Sequence, residues 1–254
     1  MSFNYNKKYI KSILKDIPFD NEDFTKVMNE HNSDEVFDIL KRNRGFRFGT
    51  GATKLVVIPR RSKYVIKIPC RASLEYNGCW DEDDYYYESG DYNELAWAEY
   101  PISGGSGWDY CKTEAELYEL AKERGLDKFF AETKFVGYVR GWPIYLQQKC
   151  MIYGEECYNN YPGKNYKRYT NEQIKTAKEK SHVLKQNVFN MFPDVWVVDL
   201  VNNYSKDEID NLLNFIQEYN INDLHSNNIG YIYNINNRFN HPVITDYSSY
   251  NESS

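Results

Sequence analysis

Near the C-terminal end, in Ile221-Asn222-Asp223-Leu224-His225-Ser226-Asn227-Asn228-Ile229-Gly230, an aspartate and an asparagine stand five residues apart. A hairpin-like stretch, Tyr231 to Val243, leads to a second aspartate in Val243-Ile244-Thr245-Asp246-Tyr247. A carboxylate placed like Asp223 accepts the proton of an attacking hydroxyl. An amide oxygen and a second carboxylate, Asn228 and Asp246, are hard donors suited to Mg2+ on nucleotide phosphates. The chemistry this pattern serves is phosphoryl transfer, and it requires cationic and glycine-rich partners upstream.

Both occur. Phe46 to Pro59 contains Gly49-Thr50-Gly51 and reads as strand, glycine turn, strand. Such glycines either supply positive φ in a hairpin or let backbone amides approach a phosphate. Tyr64-Val65-Ile66-Lys67-Ile68-Pro69 sets an ammonium within an apolar strand, which is costly unless the lysine is paired or faces a cleft. Taken together, turn and lysine favour phosphate binding. The carboxylate for Lys67 must come from the helix read over Thr113 to Gly125, as Glu114 or Glu116. Thr113-x-x-Glu116 fits a capping box, which gives Glu116 a structural task and favours Glu114. A helix beginning before Thr113 would return Glu116 as a candidate. His225 is expected to be a hydrogen-bonding residue of its loop rather than an acid or base.

The elements that must position these residues follow in order. Residues 1–44 read as polar helices, the first carrying Tyr9, Ile10, Ile13, Leu14 and Ile17 at helical spacing before Pro18. They are expected to pack on the neighbouring domain, or to bind a partner or cover a substrate. Residues 70–111, with the acidic and aromatic run 81–88 and Gly104-Gly105-Ser106-Gly107, read as an insertion, either a solvated loop or a lid. Phe129 to Val139 and Trp142 to Cys150 read as antiparallel strands. A polar loop over 153–169 and helices at 171–190 and 205–219 follow. Ser205 and Glu208 form a capping box for the last helix, which delivers the chain to Asp223.

Composition narrows the class. A chain of 254 residues with 41% hydrophobic residues can bury a sizeable core. Its mean hydropathy is −0.74, and no apolar run approaches the roughly 20 residues of a spanning helix. The N-terminus lacks a signal-peptide core, so a cytoplasmic protein without a membrane partner is expected. A net charge of −6 gives no global basic field for nucleic acid. Five cysteines, Cys70, Cys79, Cys111, Cys150 and Cys157, have no C-x-x-C pair and read as reduced, partly buried thiols.

The succession of glycine hairpin, strand lysine, helix glutamate, Asp-x-x-x-x-Asn and late Asp resembles the protein-kinase-like superfamily over about residues 46–250. The run Asp223 to Gly230 is most similar to its atypical members: aminoglycoside and choline phosphotransferases and small kinase-like proteins of bacteria and phages. The resemblance implies an α+β, two-lobed fold. Residues 45–149 would be an N-lobe of five antiparallel strands and one helix, and 150–254 a reduced, mainly helical C-lobe. It implies ATP and Mg2+ as cofactors, Asp223 as catalytic base, and Lys67 on the phosphates, paired to Glu114. Gly49 and Gly51 would lie under the β-phosphate, Gln148 and Met151 in an adenine-contacting linker over Gln147 to Met151, and Asn228 and Asp246 on the metal. Ile221 and Asn222 stand where relatives carry histidine and arginine, and Tyr247-Ser248 where they carry Phe-Gly. With no activation segment or peptide platform expected, the acceptor would be a small molecule or an unusual protein. The alternative is a kinase-like protein that binds nucleotide or a partner without turnover.

Overall fold

The computed structural model describes residues 7–15, 46–50, 54–60, 62–69, 109–139, 142–152, 170–180, 194–221, 223–225, 227–232 and 241–248. It is an α+β fold built on antiparallel sheets. Strands β1 (Phe46–Thr50), β2 (Lys54–Pro59), β3 (Tyr64–Pro69), β4 (Thr133–Val139) and β5 (Trp142–Gln148) form a sheet of order β1-β2-β3-β5-β4.

 Every neighbouring pair in it is antiparallel. Alternation sorts its residues onto two faces. Leu55, Val57, Ile66, Ile68, Trp142, Ile144 and Leu146 pack with Ile10, Ile13 and Leu14 of helix α1 (Lys7–Lys15) in one apolar cluster. On the opposite face the register sets Val56 beside Lys67 and Lys67 beside Tyr145, with Lys54 and Gln147 two residues further along their strands. Gly137, at φ 123°, permits the bulge between Phe135 and Gly137 in β4.

Helix α2 (Tyr110–Glu123) lies against this second face and starts earlier than the sequence suggests. Asp109 is its N-cap and accepts the Lys112 N–H at 2.9 Å, so the Thr113–Glu116 capping box does not form. Its C-terminus is a Schellman motif: Leu126 N–H donates to Ala121 O and Gly125 N–H to Lys122 O, with Gly125 at φ 70°. The strand expected from Phe129 is a short 3-10 turn, Asp127–Phe129, and β4 begins only at Thr133.

The linker expected over Gln147 to Met151 shrinks to one residue. Gln148 ends β5, Lys149 intervenes, and Cys150 opens β6 (Cys150–Ile152). β6 pairs with β7 (Ile229–Ile232), which pairs with β8 (His241–Ile244), so a small antiparallel sheet accompanies the helices of the C-terminal part. Those helices are α3 (Asn171–Lys180), α4 (Asp194–Asn203) and α5 (Lys206–Glu218). The Ser205–Glu208 capping box forms at α5. α4 and α5 contribute Trp196, Leu200, Leu212, Phe215 and Ile216 to a core that also takes Leu117 and Ala121 of α2.

Of the insertion expected over 70–111, Asp109, Tyr110 and Cys111 belong instead to the N-cap and first turn of α2, and the remainder, with Gly51, the loop over 153–169, the rest of the helix expected to 190 and the further N-terminal helices, lies outside the described residues. Among the described residues no helix is long and apolar enough to cross a membrane.

Candidate functional site

The costly lysine of β3 is paired. Lys67 Nζ donates to Glu114 Oε2 at 2.6 Å and to the Thr245 carbonyl at 3.0 Å. Glu114 is fully buried because it shares the inward stripe of α2 with Leu117, Tyr118 and Ala121, three, four and seven residues on. Glu116 lies outside that stripe and stands 3.8 Å from Lys112.

A second lysine meets the same carboxylate. Lys54, the first residue of β2, donates to Glu114 Oε1 at 2.6 Å and to Asp246 Oδ1 at 2.8 Å. Lys54, Lys67, Glu114 and Asp246 form a quartet with equal positive and negative charge, the balance that burial demands. Gln147 Nε2 reinforces it, donating to the Thr245 carbonyl at 2.7 Å, to Thr133 Oγ1 at 2.9 Å and, more weakly, to Glu114 Oε2 at 3.3 Å. Burial by itself would lower the Lys54 ammonium, but Asp246 and Glu114 hold it well above the ordinary lysine value. Burial would raise Asp246, yet Lys54 and Lys67 carry it well below the usual carboxylate range. Asp246 is therefore ionised, and its side chain keeps 34% of its surface exposed.

Backbone pairing explains how residues so distant in sequence converge. The strand end after β8 is fastened to the first sheet by Ala131 N–H donating to Ile244 O at 2.8 Å. The Tyr247 hydroxyl donates to Ala131 O and approaches Thr133 Oγ1, both at 2.8 Å. Tyr247 thus uses its hydroxyl as well as its ring.

Asp223 and Asn228 reach the same place through β7. Thr245 N–H donates to Asn228 O at 2.7 Å, and Asn228 Nδ2 donates to Asp223 O at 2.8 Å and Oδ2 at 2.9 Å. α5 delivers this loop with a second Schellman motif, in which Asn220 takes φ 51° and Ile221 N–H donates to Ile216 O. Ile221 is buried as the apolar residue after that cap. His225 Nδ1 accepts the Asn227 N–H at 3.1 Å, which places the neutral ring's proton on Nε2, 3.2 Å from Asp223 Oδ1. His225 orients the carboxylate as a hydrogen-bonding residue.

Gly49 lies within β1 opposite Val56, not in the turn itself. The Gln148 N–H donates to Glu132 O, and Met151 pairs with Tyr231 in the second sheet, so neither belongs to an irregular linker. Sequence reasoning missed Lys54, Gln147, Thr133 and Asp109. A signal existed for Lys54: it stands two residues from Val56, on the face that hairpin pairing gives to Lys67.

Among the described residues no group of three or more His, Cys, Asp and Glu side chains could hold a metal ion. The donor set of Asp246 and the Asn228 amide oxygen nonetheless fits Mg2+, which takes few protein ligands and completes its shell with water and phosphate.

Asp109 carries a pH dependence. Burial pushes its carboxyl up to about 6, against the Tyr145 hydroxyl at 2.5 Å and the Lys112 and Cys111 backbone N–H groups, which favour the anion. The folded value exceeds the unfolded one, so the contribution is complete below about pH 4 and is lost as pH rises through about 6, by up to about 3 kcal/mol. Denaturant unfolding of the wild type and Asp109→Asn across this range should show their stability difference shifting by that amount in favour of the variant. A difference that stays flat with pH would mean that Asp109 does not titrate in the folded protein.

No protein-family model, curated protein or solved structure matches the chain significantly.

Proposed function

We propose that the chain is an ATP- and Mg2+-dependent phosphotransferase of two-lobed, protein-kinase-like architecture, acting on a small molecule or an unusual protein acceptor. One observation carries the reading. A buried Lys67–Glu114 pair between sheet and helix is joined through Lys54 to Asp246, while Asn228 ties Asp223 to the same strand end. Lysine, carboxylate, amide and second carboxylate are the residue types that phosphoryl transfer uses, gathered from four separate stretches of chain.

In this reading the paired lysines mark the phosphate side of the site, and Glu114 fixes their position. Asp223, its side chain 54% exposed and steadied by Asn228 and His225, accepts the proton of the acceptor hydroxyl. The acceptor oxygen forms its bond to the γ-phosphorus as the bond to the β–γ bridging oxygen breaks, and ADP leaves. Asp246 and Asn228 would hold Mg2+, which supplies neutralisation of phosphate charge.

A second reading, a nucleotide- or partner-binding protein without turnover, is favoured by the Lys54–Asp246 contact, which engages the metal-ligand carboxylate. Incubating the pure chain with γ-labelled ATP and Mg2+, alone and with cell extract, separates the two. Label on a protein or metabolite is expected. Mg·ATP-dependent thermal stabilisation without label would support the second reading, and the absence of both label and stabilisation would overturn nucleotide binding in either reading.

A further inference from the structure

Lys54 and Lys67 share Glu114 but differ in their other partner. Lys67 bonds the Thr245 carbonyl, which also accepts from Gln147 and belongs to a backbone tied to Asn228. Among the described residues, each hydrogen bond of that lysine is to a buried acceptor that also accepts from Gln147. Lys54 instead reaches Asp246, the member of the quartet with a substantially exposed side chain. It also opens β2, three residues after Gly51 in the sequence.

We infer that Lys54, rather than Lys67, is the cation that contacts the nucleotide phosphates, and that Lys67 is the strut holding Glu114 and Thr245 beneath it. The inference rests on the nucleotide-binding reading of the site and assigns its phosphate contact. The charge balance supplies the reason. While Asp246 is bonded to Lys54 the quartet is neutral. Once Asp246 turns to a metal ion, the two lysines and Glu114 retain one positive charge, and Lys54 is the lysine that has lost an acceptor. A phosphate oxygen replaces it. The Lys54–Asp246 bond is thus a resting pair that Mg·ATP exchanges.

Titration calorimetry of the full chain with metal-free ATP in EDTA, and with adenosine, tests this. Asp246→Asn releases Lys54 and should bind metal-free ATP at least about tenfold more tightly than the wild type, the worth of a hydrogen bond to a charged group. Two charge-balanced doubles then divide the lysines. Asp246→Asn with Lys54→Met should lose that gain, whereas Asp246→Asn with Lys67→Met should keep it wherever it folds. Adenosine affinity should be the same in every folded protein. The inference is overturned if Asp246→Asn shows no gain, or if adding Lys54→Met leaves the gain intact. Wild-type chain that binds neither Mg·ATP nor adenosine overturns the nucleotide-binding reading and this inference with it. Wild type that binds Mg·ATP while Lys54→Met has no effect in either background overturns the inference alone.

Discussion

Glu114→Ala should be the most destabilising single change in the described part of the chain, costing about 3–5 kcal/mol and lowering Tm by about 6–20 °C. The reason is the asymmetry between losing a bond and stranding its partners. Glu114 is wholly buried, and each of its oxygens accepts from a lysine whose own exposure is below 5%. Without it, Lys54 and Lys67 are left with Asp246 as the remaining carboxylate of the quartet. Two buried ammoniums must then find water or lose their protons, and either outcome loosens the packing of α2 on the sheet.

Glu114→Gln should cost less than Ala, because it keeps the volume and one acceptor, but its amide donors would face an ammonium. The triple change Lys54→Met, Lys67→Met, Glu114→Leu should recover most of the loss, since apolar residues commonly replace a buried ionic cluster without penalty. It should bind no nucleotide. That combination would mean that the quartet is retained for function at the expense of stability. Thermal unfolding by circular dichroism reads all three, and a Glu114→Ala Tm within about 2 °C of wild type would show that the quartet is not formed.

Much of this was legible where one physical requirement had few solutions. An ammonium in an apolar strand needs a carboxylate, and α2 offers Glu114 and Glu116 at the right distance along the chain. The capping-box argument reached Glu114 by a route that does not hold, because Asp109 rather than Thr113 caps the helix. The sounder signal was the phase of Leu117, Tyr118 and Ala121, which puts Glu114 inward and Glu116 to the side. Asp109 itself was hidden by its place at the end of a stretch that carries no periodicity. Lys54 escaped because a lysine beside a glycine turn looks like an ordinary strand end, and only the register reveals that it shares a face with Lys67. Helix α4 escaped for another reason. Its segment Trp196–Leu200 is buried throughout, Asp199 included, so apolar and polar residues do not sort into the inner and outer faces from which a helical period could be recognised. The second sheet needed pairing between Cys150–Ile152 and Ile229–Ile232, a contact across some eighty residues that no local pattern encodes.

Asp223→Asn should abolish phosphate transfer while leaving the folded protein and its nucleotide affinity intact. A positioned general base contributes about 10²- to 10⁴-fold, and asparagine removes the base with almost no change of shape. The surroundings of Asp223 favour a clean result. Its side chain is more than half exposed, so the substitution should alter stability by less than about 0.5 kcal/mol. Its oxygens meet Asn228 Nδ2 at 2.9 Å and His225 Nε2 at 3.2 Å, and the carbonyl oxygen of an asparagine can keep the Asn228 bond. Lys54, Lys67 and Glu114 bond one another, Asp246, Gln147 and the Thr245 carbonyl rather than Asp223, so the phosphate side of the site should not sense the change. Labelled-ATP transfer and calorimetry on one preparation decide the matter. Transfer that survives would remove Asp223 from the role of base. Transfer and Mg·ATP binding lost together, with Tm unchanged, would place Asp223 on the metal instead. If the wild type transfers no phosphate and the variant binds Mg·ATP as the wild type does, the binding reading without turnover stands.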